Sequence, residues 1–188
     1  MVVTQPANGA GEVAHEFDAC LGETSSQSDV FDAVGRPAVD ALLGGVCVGV
    51  LCYGAGAGKQ HTFMGTRENP GLARRIGRTL FADLRPTGDA RGSPQLQHDV
   101  RVRYYLLRDG FATIDLLQQP GAGTPGDYGL RKSRSRGVHV GGLVELLICD
   151  AEKLDEALSV GEEHRRSRDE PGYHAVLEIE LSRPSGMA

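Results

Sequence analysis

The stretch CYGAGAGKQHTFMG, residues 52–65, decides how the chain is read. Glycines at 54, 56 and 58 let successive backbone N–H groups turn toward one anion, and a helix starting just after them adds its positive end. Lys59 supplies a point charge for the outer phosphates of a nucleotide. The pattern is one residue short, because only Ala55, Gly56 and Ala57 separate Gly54 from Gly58 and Lys59, where the usual loop has four. Gln60 stands where a hydroxyl would ligate magnesium; its amide oxygen is an acceptable ligand on a longer arm. Taken alone, the loop is equally a glycine-rich turn between a strand and a helix.

Immediately upstream, GVCVGVLCYG at residues 45–54 is a continuous apolar, valine-rich run suited to a strand buried on both faces. Before it, Val30, Val34, Ala38 and Leu42 recur every four positions and predict a helix over residues 28–43. Ser28 or Asp29 would cap it, Pro37 would kink or divide it, and Gly44 and Gly45 would end it. After the loop a helix starts over residues 59–64, is interrupted at 65–70, and resumes with Leu72, Ile76, Leu80 and Leu84.

Farther along, residues 86–99 and 118–129 are loops by composition. Val100, Val102, Tyr104 and Leu106 alternate with Arg101, Arg103 and Tyr105, the pattern of a half-buried strand. GVHVGGLVELLIC, residues 137–149, offers two short strands about Gly141 and Gly142. Asp150 caps a helix over 151–160 that Gly161 closes, and HAVLEIEL at 174–181 is a last strand. Alternating strands and helices argue for an α/β layer structure. Residues 1–14, small and polar, read as loose, leaving 15–188 as one domain.

With 40% hydrophobic residues in 188, the chain can bury a sizeable core. A formal charge of −5 gives no broad attraction for nucleic acid or an anionic membrane. The longest apolar run, 46–53, is too short to span a bilayer, and the start lacks the flanks of a signal peptide. Cys20, Cys47, Cys52 and Cys149 have neither metal nor disulfide spacing and read as reduced core residues of a cytoplasmic protein. His61, His139 and His174 likewise form no metal spacing. RKSRSRG, residues 131–137, is the one dense basic run; Arg131, Lys132, Arg134 and Arg136 suit either contact with an acidic surface or a solvated loop.

YGAGAGKQHTFMG resembles the phosphate loop of the kinesin motor domain, Y-G-Q-T-G-S-G-K-T-x-T-M-x-G. Tyr53, Gly54, Gly56, Gly58, Lys59, Thr62, Met64 and Gly65 match it across one gap. Upstream, FDAC from Phe17 and SSQSDVFDAVGRPAVDALLGG resemble the family's F-D-x-V-F, its Q-x-x-V-F helix and the R-P-x-V-D and L-x-G that follow. Downstream, GLARRIGRTLF is similar to G-I-I-P-R-x-x-x-x-L-F, VRVRYYLLRDGFATIDLL to V-x-V-S-Y-x-E-I-Y-N-E-x-x-x-D-L-L, and GVHVGGLVE to G-x-Y-V-x-G-L-x-E. The resemblance implies a P-loop NTPase-like α/β motor core, with a mixed central sheet between helices. It further implies ATP with Mg2+ held by Gly54, Ala55, Gly56, Ala57, Gly58, Lys59, Gln60 and His61. Microtubule-stimulated ATP hydrolysis, microtubule-based movement, tubulin as partner and a place on the cytoskeleton follow from it, with residues 131–136 on the microtubule side.

The departures cluster at the catalytic parts. The family's first switch, N-x-x-S-S-R-S-H, survives only as His174, with Glu170, Pro171, Gly172 and Tyr173 in place of S-S-R-S. Nothing before Phe17 matches the R-x-R-P strand, and the sequence stops before the second switch, D-L-A-G-S-E. The motor core is therefore expected to be incomplete at both ends, with a partner covering the unfinished sheet. Phosphoryl transfer rests on positioning and charge stabilisation, so hydrolysis is expected to be impaired. The alternative is a non-catalytic remnant acting as a cytoskeletal binding or scaffold module, or the product of an incomplete gene model.

Overall fold

The structure, a computed structural model, describes residues 2–4, 13–54, 58–84, 98–109, 111–119, 128–134, 136–167 and 172–182. The chain divides into two units, Met1–Thr79 and Leu80–Ala188.

In the first unit, β1 (Val2–Thr4) pairs antiparallel with β2 (Val13–His15), so the start of the chain, read from composition as loose, carries a short ladder. Helix α1 (Gln27–Val30) opens on a capping box. Asp29 donates its N–H to Ser26 Oγ at 3.2 Å while Ser26 donates its own to Asp29 Oδ2 at 2.7 Å. The cap is therefore Ser26, not Ser28, and Asp29 is its reciprocal partner. Helical turns continue as a π turn over Phe31–Gly35 and then as α2 (Arg36–Leu43). Pro37 has no N–H for the carbonyl four residues back, and the chain absorbs this by widening. Arg36 N–H reaches the Phe31 carbonyl, so the expected division appears as a wide turn just before the proline.

Residues 46–53 differ most from expectation, for they form no strand. Leu51 is 87% exposed and Tyr53 95%, with Val46 and Val48 exposed beside them. A strand holds only against neighbouring strands, and none of the described strands pairs with this segment. The thiols depart in the same way: Cys20, Cys47 and Cys149 are exposed and Cys52 is half-buried, and none of the four is joined to another described cysteine in a disulfide.

The loop leads into α3 (Gly58–Phe63). The expected interruption is a tight turn closed by Gly71 N–H on the Met64 carbonyl at 3.0 Å. Gly65 sits there at φ 64°, and a Cβ on it would lie 2.3 Å from Gly71 N, so only glycine fits. Helix α4 (Leu72–Asp83) then resumes, burying Leu72, Ala73, Leu80 and Phe81.

The second unit is built on β3 (Asp99–Arg108). One edge of β3 pairs along its length with β8 (His174–Ser182). Its other edge pairs with β7 (Leu146–Ile148) at the start and β4 (Phe111–Asp115) at the end. Every described ladder is antiparallel. A separate hairpin joins β5 (Leu130–Ser133) to β6 (Gly137–Val140). Being central, β3 is covered on both faces: Arg103 and Tyr105, expected to face solvent, are as buried as Val102 and Tyr104. Asp150 caps α5 by accepting from Lys153 N–H at 2.8 Å, as expected. That helix runs on as Ala151–Arg166, straight through Gly161. Gly161 is where α5 meets the sheet, because a Cβ there would lie 2.2 Å from the Tyr104 ring.

Candidate functional site

Two backbone features make the glycine loop. Gly54 lies at φ 137°, a conformation that side chains rarely tolerate, with open space where a Cβ would stand. Gly58 is also open at that position and begins α3. Ala55, Gly56 and Ala57 lie outside the described residues. Lys59 is the second residue of α3, and its ammonium turns back to donate to the Gly54 carbonyl. The one cation of the loop is thus held at the residue that opens it. Its charge also reaches the thiol of Cys52, which burial pushes up and Lys59 draws back.

Gln60 contributes its carbonyl, which accepts from Met64 N–H at 2.9 Å and Gly65 N–H at 3.2 Å. Among the described residues no group of three His, Cys, Asp or Glu could hold a metal. At the family's hydroxyl position Gln60 offers one neutral amide oxygen on a longer arm. That donor set does not fit a magnesium site of the hydroxyl type. His61 exposes its ring, while its carbonyl accepts from Gln27 Nε2 at 2.6 Å. Gln27 is a site neighbour that the sequence reading passed over; its only signal was its place as the first residue of the Q-x-x-V-F helix.

The other predicted residues belong to the second unit. His174 opens β8, exposed and opposite Leu107 at the end of the ladder. Tyr173 beside it lies under the Arg108 guanidinium, 5.2 Å from the ring centre. Glu170 and Pro171 lie outside the described residues.

The basic run is not a plain loop, because Arg131 and Lys132 are part of β5. Both are exposed, as is Arg134 at the turn, and the Arg131 stem lies against Gly141. Arg136 is committed elsewhere, to Glu145 at 2.9 Å and Glu180 at 3.2 Å. These carboxylates also hold Arg103, at 2.5 and 2.6 Å, and Glu178 holds it at 2.9 Å. Of the four candidate contacts for an acidic surface, Arg136 is thereby engaged with its own fold.

Comparison with known proteins sets these features in context. The family model "Kinesin motor domain" matches residues 3–173. The kinesin heavy chain of Botryotinia fuckeliana is 32% identical over 167 residues, covering 85% of this chain and 17% of its own. Kinesin-like protein 5 of Schizosaccharomyces pombe is 29% identical over 185 residues, 93% of this chain and 20% of its own. Among solved structures, a fast kinesin superposes with a TM-score of 0.73 at 26% identity, covering 91% of this chain and 48% of that one. A KIF14 dimer bound to AMP-PNP and a microtubule shares the fold with a TM-score of 0.72 at 19% identity, over 95% of this chain and 52% of that one. The chain therefore spans about a fifth of these curated relatives and about half of the solved motor chains.

Proposed function

Because the chain belongs to the kinesin motor domain family, we propose that it binds ATP at residues 54–61 and associates with microtubules, with hydrolysis impaired. The observation that carries the nucleotide reading is Lys59, placed in the first turn of α3 with its ammonium on the Gly54 carbonyl. A triphosphate at the loop would replace that carbonyl as the lysine's partner, exchanging a neutral acceptor for an anionic one. The N–H groups of residues 56–59 would cradle it. ATP would bring the charged triphosphate that this lysine answers. Gln60 supplies no hydroxyl, so magnesium should add less to binding than it does where serine or threonine stands. Arg131, Lys132 and Arg134, exposed on or beside one hairpin, would meet the acidic surface of tubulin.

A fluorescent ATP analogue titrated with and without magnesium tests the first part. Lys59→Ala should weaken binding by about 2 kcal/mol, roughly thirtyfold, as loss of a charge-assisted contact does. Equal binding by both proteins, or none by either, would remove the nucleotide role. Gln60 and the lost switch residues favour a second reading, a cytoskeletal binding module that does not turn over ATP. Microtubule pelleting separates the two. Nucleotide-sensitive pelleting supports the motor reading; pelleting indifferent to nucleotide but lost on neutralising Arg131, Lys132 and Arg134 supports the module.

A further inference from the structure

Helix α3 is only six residues long, and its last carbonyls must find donors outside it. Gly65 N–H would close the next helical bond onto His61, but it donates to Gln60 instead. The vacant His61 carbonyl is taken by Gln27 Nε2 at 2.6 Å. Gln27 is 6% exposed, and its backbone is fixed by the capping box of Ser26 and Asp29 on either side. A buried amide anchored at the start of α1 thus grips the far end of the helix whose first turn carries Lys59.

The other half of the same amide is idle. Gln27 Oε1 is buried with no hydrogen-bond partner among the described residues. A buried acceptor left unpaired is a cost that an apolar side chain of the same length would avoid. Burial alone therefore does not call for a glutamine here, since a methionine would fill the space without the unpaired Oε1, at the loss of the donor to the His61 carbonyl. What glutamine alone provides is the directed N–H to His61.

We propose that Gln27 is a positioning residue: through the His61 carbonyl it sets the placement of α3 and hence of the Lys59 ammonium at the glycine loop. This rests on the nucleotide reading above only for its consequence in binding. The placement itself can be read without nucleotide, because the Cys52 thiol senses Lys59.

The test uses the full chain with Cys20, Cys47 and Cys149 changed to serine, so that Cys52 is the single reactive thiol. Its alkylation rate is followed against pH in the parent, in Lys59→Ala, and in Gln27→Met and Gln27→Asn. The asparagine variant keeps the amide but shortens the arm. Lys59→Ala should move the thiol titration upward. Both Gln27 variants should move it the same way, with faster amide exchange at Met64 and Gly65, and with a Tm for Gln27→Met close to the parent's because the lost bond to the His61 carbonyl and the relieved Oε1 offset one another. An ATP analogue should bind the Gln27 variants about five- to tenfold more weakly, the worth of one hydrogen bond. A thiol titration unmoved in both Gln27 variants overturns the proposal, even if exchange quickens, because Gln27 would then merely cap the helix. If no protein in the set binds the analogue, the nucleotide function falls, and the thiol titration alone decides for or against Gln27.

Discussion

Tyr104, Gly161 and Glu162 show how far one residue's meaning depends on a distant partner. The Tyr104 hydroxyl donates to Glu162, which Arg165 also engages at 3.1 Å, and the ring fills the space that Gly161 leaves open. Burial, and then the Glu162 charge, push the Tyr104 phenol well above its ordinary value. Its folded form therefore favours the proton, and that stability is present in full below about pH 10 and lost as pH rises further. Gly161→Ala gains helix propensity of about 1 kcal/mol but forces a methyl to 2.2 Å from the ring. Overpacking of that kind costs about 1–3 kcal/mol, so the variant should melt lower despite the better helix former, a result readable by calorimetry. From the sequence Gly161 reads as a stop signal, because a glycine near a helix end usually is one. Nothing local reveals that a tyrosine 57 positions earlier occupies the missing side chain's place.

At the scale of elements, the β3–β8 ladder carries a charged layer on one face. Arg103 lies opposite Glu178 and Arg101 opposite Glu180 in the register, and Glu145 and Arg136 join from the segments before β7. Burial raises the Glu145 carboxyl, but hydrogen bonds from Arg136 and Arg103 outweigh it and hold the group below its usual range. A depressed carboxylate contributes stability above its unfolded value that is lost as pH falls through its folded one. The parent should accordingly weaken in urea as pH drops below about 4.5. Arg103→Met removes the buried cation that three glutamates share, leaving Glu145 to Arg101 and Arg136, Glu180 to Arg136 and Glu178 to the Tyr105 hydroxyl, at a cost of about 3 kcal/mol near pH 7. With one of the two hydrogen bonds that depress Glu145 gone, the loss of stability on acidification should be shallower in the variant than in the parent. A parallel fall in both proteins would show that the layer is not coupled. The alternation along β3 was legible in the sequence, as were α4, β8 and the cap at Asp150, because each rests on local periodicity or a single capping residue. That the polar face of β3 would be buried was not legible, since the burying glutamates come from residues 145, 178 and 180.

For the whole molecule the decisive segment is 46–53, whose composition reads as a strand buried on both faces and whose residues are mostly exposed, with Val50 and Cys52 half-buried. Periodicity and valine content report what a segment can become, whereas its burial depends on which strands lie beside it. The loop it feeds was legible as a glycine turn with a lysine. The direction of that lysine and the grip of Gln27 were not, because both depend on bonds to backbone carbonyls that no side-chain pattern marks. The exposure makes a sharp prediction. Leu51→Ser should change stability by no more than about 0.5 kcal/mol, as a surface substitution does, while lowering the binding of a dye that reports exposed apolar surface. Were the segment packed as a central strand, the same change would strand a hydroxyl in the core and cost about 2–5 kcal/mol with no fall in dye signal. A thermal melt of the variant, read beside the dye titration, separates the two states of this segment because each measurement moves in only one of them.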